Sequence, residues 1–115
     1  MARSTTKVLA GVAVAALAAA AVAAAVNYRR GQGPDPEQQA YLDELDTRLE
    51  AAERPNSDIQ PGRILDGLQR NRGISVRRLR SWITGVRRGT LSPEQATVAE
   101  SDFDALEREA DQGGV

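Results

Sequence analysis

Five arginines and one serine lie within twelve consecutive residues of this 115-residue chain. Each guanidinium presents a planar fork of N–H donors that matches two oxygens of a phosphate or a carboxylate. The pattern predicts a surface that binds a polyanion, with nucleic acid as the clearest candidate and anionic lipid headgroups as another. The residues of this predicted site are Arg77, Arg78, Arg80, Ser81, Arg87 and Arg88.

The charges that surround this site allow a second interpretation. The formal charge is +4 in residues 1–34, −6 in 35–58, +7 in 62–91 and −6 in 92–115, which leaves a net charge of −1. The two acidic segments could therefore fold back and neutralise the arginines within the molecule. A dedicated nucleic-acid-binding domain usually has a basic balance, and a protein partner is a third alternative.

The composition argues against catalysis. The chain contains no Cys and no His, which excludes thiolate or imidazole metal sites and any Cys/His nucleophile–base pair. Carboxylates do cluster, as at Asp43, Glu44 and Asp46 or at Asp102 and Asp104, but none has an apolar setting that would suit acid–base work. We expect these carboxylates to be solvated, and we predict no catalytic residue, no metal and no cofactor.

An uncharged, apolar block, Val8–Val26, precedes the charged segments. As a helix it would extend about 28 Å, close to the hydrocarbon thickness of a bilayer. Cations and a tyrosine on either side suit the headgroup layer. The block predicts a single-pass membrane protein that contacts membrane lipid, with these interface residues: Arg3, Lys7, Tyr28, Arg29 and Arg30.

Alternatives to an uncleaved span stay open. A basic start, an apolar middle and small residues also match a secretory signal, cleaved near Ala25. A helix buried in a soluble fold is disfavoured, because the remaining chain is too polar to surround so many apolar residues. Small residues at Gly11, Ala15, Ala19 and Ala23 could bring two such helices together as a homo-oligomer.

The rest of the chain predicts helices and no strand. The expected fold is all-α, with one N-terminal transmembrane helix, a short amphipathic helix and a small module of about three short helices. Helix-capping patterns mark the starts, with Asp35 and Gln38, then Ser75, then Ser92 and Gln95. The expected organisation is an anchor or signal segment (1–30), a linker with an acidic amphipathic helix (31–60) and an Arg-rich helical module with an acidic C-terminal helix (61–115).

Apolar residues at helical spacing define the predicted inward faces. Trp82 is expected to be partly buried, with its indole N–H directed to solvent. The helices are expected over residues 36–53, 61–70 and from 75 and 92 onward. The predicted core residues are Leu42, Leu45, Leu49, Ala52, Ile64, Leu65, Leu68, Val76, Leu79, Ile83, Val86, Val98, Ala99, Phe103, Leu106 and Ala110.

Residues 74–93, ISVRRLRSWITGVRRGTLSP, resemble the recognition-helix end of a Cro/C1-type helix-turn-helix domain. The resemblance covers about 20 residues and depends on Ser75 opening a helix, Leu79 and Trp82 three apart, Gly85 closing the helix, and basic residues before Ser92 and Pro93. It implies that this helix enters a major groove. Arg77, Arg78, Arg80 and Ser81 would then meet bases or phosphates, and Arg87 and Arg88 would meet the backbone.

These observations predict a single-pass, membrane-anchored helical binding or scaffold protein that holds a polyanion near the membrane through its Arg-rich helix. The alternative is a secreted or extracytoplasmic structural or envelope protein whose Arg-rich face is neutralised by its own acidic helices. The two differ in topology, since DNA binding requires a cytoplasmic C-terminal module.

Overall fold

The computed structural model describes residues 14–52 and 61–113 of the chain. Those residues form α-helices joined by short connections, and none of them lies in a strand, so the all-α prediction is confirmed for them. The helices are α1 (Val14–Arg29), α2 (Pro36–Ala52), α3 (Pro61–Arg72), α4 (Val76–Arg88) and α5 (Pro93–Gly113).

The capping boxes predicted at the starts of α2 and α5 are present. The Gln38 backbone N–H donates to Asp35 Oδ1 at 2.7 Å, and the Asp35 N–H donates back to Gln38 Oε1 at 3.2 Å. The Ser92 and Gln95 pair repeats this exchange, at 3.1 and 2.8 Å. Each box satisfies two backbone donors that a helix start would otherwise leave unpaired.

Both ends of α4 are closed by residues that the sequence marks. The Arg78 N–H donates to Ser75 Oγ at 3.2 Å, which confirms Ser75 as the N-cap. Gly89 ends the helix in the left-handed region, with φ of 70°, and its N–H bonds the Gly85 carbonyl. The register of the arginines on α4 is therefore fixed by caps at both ends.

Most of the predicted inward residues form a single core. Leu42, Leu45 and Leu49 of α2 and Phe103 and Leu106 of α5 are buried. Leu65, Leu68, Ile74, Leu79, Ile83, Val86, Ala99 and Ala110 are buried as well. Val98 is 39% exposed, so its predicted place in the core is wrong, because the inward face of α5 runs through Ala96, Ala99 and Phe103 instead.

The Ala-rich helix packs one face into this bundle. Leu17, Ala18, Ala21, Ala24 and Ala25 are fully buried, and α1 packs most extensively against α5. The expectation that the rest of the chain cannot cover this block is therefore wrong for these five residues, whereas Ala16 and Ala23 are exposed. Alanine side chains are short, so a neighbouring helix can approach closely, and few further residues are needed to cover them.

No transmembrane helix is found among residues 14–52 and 61–113, since no helix there is both long and apolar enough to cross a bilayer. Residues 8–13 of the predicted span lie outside the described residues, as do Arg3 and Lys7. Of the small residues predicted to support self-association, Ala23 is exposed, and Ala15 and Ala19 are partly buried. Gly11 also lies outside the described residues.

The C-terminal turn of α1 is held by three polar contacts to other elements. Asn27 Nδ2 donates to Gln38 Oε1 at 3.3 Å, and Arg29 Nη2 lies 2.6 Å from Glu100 Oε1. The Tyr28 hydroxyl bonds the backbone of Leu91. Tyr28 and Arg29, expected at the headgroup layer, thus make contacts within the bundle, and Arg30 next to them is exposed.

Two glycines permit close helix packing. A Cβ added to Gly85 of α4 would overlap the Leu91 side chain, and one added to Gly67 of α3 would lie 2.6 Å from Glu109 Oε1 of α5. Both glycines cost helix stability relative to alanine, by about 1 kcal/mol each. At Gly85 the Leu91 side chain occupies the space of a methyl group, whereas at Gly67 the nearest atom is the flexible end of the Glu109 side chain.

Candidate polyanion interface

The buried face of α4 decides where its arginines point. Leu79, Ile83 and Val86 face the core and are at most 1% exposed. Successive helical residues are rotated by about 100°, so side chains beside this face point toward α2 or α5 and those opposite point to solvent. The six predicted site residues therefore divide into two flanks and one outward stripe.

On the α5 flank, Arg78 binds Asp102 through two hydrogen bonds. Its Nε donates to Oδ2 at 2.6 Å and its Nη2 donates to Oδ1 at 3.2 Å. The Trp82 indole N–H donates to the same Oδ2 at 2.6 Å. Asp102 is only 4% exposed, and a buried carboxylate needs such partners to offset its lost hydration.

This cluster corrects two expectations. The Trp82 N–H is directed at a carboxylate and not at solvent, although the side chain is partly buried as predicted. Asp102 is buried and not solvated, whereas Asp104 two residues later is half exposed and pairs with Arg108 at 3.1 Å. The alternating acids in the sequence of α5 do not indicate that Asp102 is buried and Asp104 is not. The indole and the guanidinium opposite Asp102 account for it.

On the α2 flank, two more arginines meet acids. Arg80 Nε donates to Asp46 Oδ1 at 3.0 Å, and its Nη2 lies 3.9 Å from Glu50 Oε2. Arg87 Nη2 lies 3.0 Å from Asp43 Oδ1. The acids recur at intervals of three and four on α2, so they form a row alongside α4. Three of the five arginines in the predicted site are thus engaged within the molecule.

The outward stripe of α4 consists of Arg77, Ser81, Thr84 and Arg88. All four are exposed, and their intervals of four, three and four place them on one helical face. Neither Arg77 nor Arg88 forms a hydrogen bond or ion pair with any part of the chain that the structure describes. Thr84 is the residue that the predicted site omitted, although its spacing from Arg77 and Ser81 could have included it.

Two grooves lie beside Arg87 and Arg88 where α4 ends. One, of about 480 Å³, separates α4 from the α1–α2 connection, and it includes Tyr28, Gly31, Pro34 and both Arg87 and Arg88. The other, of about 260 Å³, is lined by Gln39, Thr84, Arg87 and Arg88. Arg88 is exposed and lines both grooves, so its guanidinium can reach a ligand on the protein surface.

Further cations precede α4 in the chain. Arg70 and Arg72, in the last turn of α3, are exposed, and a three-residue turn of Gly73, Ile74 and Ser75 connects them to α4. Gly73 adopts a φ of 67°, which favours glycine. Cations thus flank Ser81 and Thr84 at both ends of α4, which itself contains no acid.

The chemistry available on this surface is electrostatic and hydrogen-bonding. Guanidinium forks and two hydroxyls can bind phosphate or carboxylate oxygens. Among residues 14–52 and 61–113, no group of three acidic side chains is placed to hold a metal ion.

Comparisons of the chain with protein-family models, with curated proteins and with solved structures found no match.

Proposed function

We propose that this chain is a helical binding protein that holds a polyanion, with nucleic acid as the clearest case, along the outward stripe of α4. The observation that carries the proposal is that Arg77, Ser81, Thr84 and Arg88 share one exposed face. No acid interrupts that face, and its two cations are free of contacts with the described residues.

The dimensions of the stripe suit a phosphate backbone. Arg77 and Arg88 are eleven residues apart, or about 16 Å along a helix. That spacing allows two separate phosphate contacts, with the Ser81 and Thr84 hydroxyls available to the ligand between them. The three-residue turn before α4 is compatible with the helix-turn-helix resemblance, which stays a prediction.

Because the stripe carries few cations, we expect it to bind a duplex with modest affinity that falls as the salt concentration rises. Each phosphate contact on a duplex contributes a slope of about −0.9 to the dependence of log K on log salt concentration. With two contacts, from Arg77 and Arg88 of the stripe, we expect a slope of about −2. We therefore expect binding to be clear at low ionic strength and weak at physiological ionic strength.

The experiment is a titration of the full chain with a short DNA duplex at several salt concentrations. Arg77→Ala with Arg88→Ala removes two charges from the stripe, and Arg80→Ala with Arg87→Ala removes the same number from the α2 flank. We expect at least a tenfold loss of affinity from the first pair and less than a threefold loss from the second. Equal losses would show that only net charge matters, and they would contradict a defined interface.

A second candidate is a structural or envelope protein in which α4 serves the bundle alone. It is favoured by the pairing of Arg78, Arg80 and Arg87 with acids of α5 and α2. On this proposal the wild-type chain shows no duplex binding even at low ionic strength. The same titration therefore separates the two candidates.

The membrane location predicted from Val8–Val26 is a further proposal, supported by the absence of charge over those residues. Cleavage near Ala25, the secretory alternative, would remove Leu17, Ala18 and Ala21 from the core, so an uncleaved chain fits the bundle better. Carbonate extraction of membranes, followed by mass spectrometry of the recovered chain, tests both points. An intact chain that carbonate releases contradicts the anchor, and a chain that begins near residue 26 contradicts the uncleaved form.

A further inference from the structure

A second cluster of arginines lies around an open cleft of about 320 Å³, on a different side of α4 from the stripe. Three helices contribute one guanidinium each, Arg72 from α3, Arg78 from α4 and Arg108 from α5. The remaining lining residues are Ile74, Ser101, Asp102, Asp104 and Ala105. Charged and polar side chains dominate this lining, so an apolar ligand would fit it poorly.

The two acids in the cleft already have partners. Asp102 accepts hydrogen bonds from Nε and Nη2 of Arg78, and Arg108 Nε lies 3.1 Å from Asp104 Oδ2 in an ion pair. Arg78 keeps its second terminal nitrogen for another acceptor, and Arg108 keeps both of its own. Arg72 forms no hydrogen bond or ion pair with the described residues, so its whole fork is available.

We propose that this cleft binds a small ligand through a phosphate group. Three guanidinium groups against two carboxylates leave one net positive charge, together with several unused N–H donors and the Ser101 hydroxyl. A phosphate accepts hydrogen bonds on three or four oxygens and matches guanidinium forks in a bidentate manner. The volume exceeds that of a phosphate group alone, which leaves room for the remainder of a phosphomonoester.

The cleft and the stripe are separate sites. Arg77 of the stripe and Arg78 of the cleft are consecutive, so they point about 100° apart around α4. Arg72 is the arginine of the cleft that has no acidic partner. Thr84 and Arg88 of the stripe lie about two and three helical turns beyond Arg78 on α4. A variant of one site therefore leaves the donors of the other intact.

Trp82 provides a built-in reporter for the test. It is the single tryptophan of the chain, and its indole N–H bonds Asp102, which lines the cleft. Titration of the full chain with inorganic phosphate, and separately with glycerol phosphate, should give a saturable change in Trp82 fluorescence. Sodium chloride at matched ionic strength should give none, and a change that fails to saturate or that chloride reproduces would overturn the proposal.

Matched variants locate the binding. Arg72→Ala should weaken binding of both phosphate probes at least tenfold. Arg70→Ala removes an exposed arginine from the same turn of α3 that does not line the cleft, and it should leave both affinities within twofold. Equal weakening by the two variants would overturn the site. Binding of inorganic phosphate without glycerol phosphate would contradict a phosphomonoester ligand.

The stripe variants keep this result distinct from the proposed function. Arg77→Ala with Arg88→Ala should retain phosphate binding while duplex binding falls, and Arg72→Ala should lose phosphate binding while duplex binding falls less than threefold. If one variant abolished both activities, the cleft would be part of the polyanion interface, and a separate ligand site would be contradicted.

Discussion

The Tyr28 hydroxyl bonds both backbone groups of Leu91, accepting from its N–H at 2.8 Å and donating to its carbonyl at 2.8 Å. The two residues are 63 positions apart, and they join the end of α1 to the connection between α4 and α5. In this connection the Thr90 N–H bonds the Gly85 carbonyl, whereas both backbone groups of Leu91 are bonded by the tyrosine. The tyrosine therefore satisfies a backbone segment that would otherwise depend on water.

Tyr28→Phe tests this contact. The substitution removes both hydrogen bonds and keeps the ring, so we expect a loss of about 1–2 kcal/mol in the free energy of unfolding. Tyr41→Phe is the matched control, because the Tyr41 hydroxyl has no hydrogen bond to the described residues, and it should change stability by less than about 0.5 kcal/mol. Urea denaturation followed by Trp82 fluorescence measures both. Equal effects would show that the Leu91 contact adds no stability.

Local patterns predicted the helix starts well because their information is local. Asp35 with Gln38 and Ser92 with Gln95 are three residues apart, so the side chain and the backbone group that it bonds are fixed by one turn of helix. The buried face of α4 could be predicted equally well, because Leu79 and Ile83 fall at helical spacing. These features need no knowledge of the other helices.

The partners of the arginines could not be predicted in the same way. The charges of the sequence segments indicated that acids were available to neutralise the arginines. Only the packing of α2 and α5 beside α4 determines that Arg80 and Arg78 form ion pairs and that Arg77 does not. The packing of the Ala-rich block could not be predicted for a related reason. Its composition suits lipid and a close helix interface alike, and its contact with α5 cannot be read from the block itself.

Among the acids of α5, we expect the loss of Asp102 to lower the free energy of unfolding most. Asp102→Ala leaves the Trp82 N–H and the Arg78 guanidinium without their acceptor, so we expect a loss of about 2–3 kcal/mol. Asp104→Ala removes the same group from the exposed pair with Arg108, and it should cost less than about 1 kcal/mol. Thermal and urea denaturation report the difference. Similar losses from the two substitutions would contradict a special role for the buried carboxylate.

Gly85→Ala should destabilise the chain although alanine is the better helix former. The new methyl group overlaps the Leu91 side chain, and overpacking costs about 1–3 kcal/mol against a helix-propensity gain of about 1 kcal/mol. Adding Leu91→Ala makes room for the methyl group, so the double variant should lose less than the sum of the two single variants. Strict additivity in this double-mutant cycle would show that Leu91 moves aside at no cost.

Two alanines of α1 distinguish packing in the bundle from insertion in lipid. Ala21 is fully buried and Ala23 is exposed, so Ala21→Leu should overpack the contact with the neighbouring helices and lower the free energy of unfolding by about 1–3 kcal/mol. Ala23→Leu should leave it within about 0.5 kcal/mol. In a bilayer-spanning helix, both substitutions would instead favour insertion by similar small amounts. Equal behaviour of the two variants would therefore contradict the docked position of α1, whereas a selective loss at Ala21 supports it.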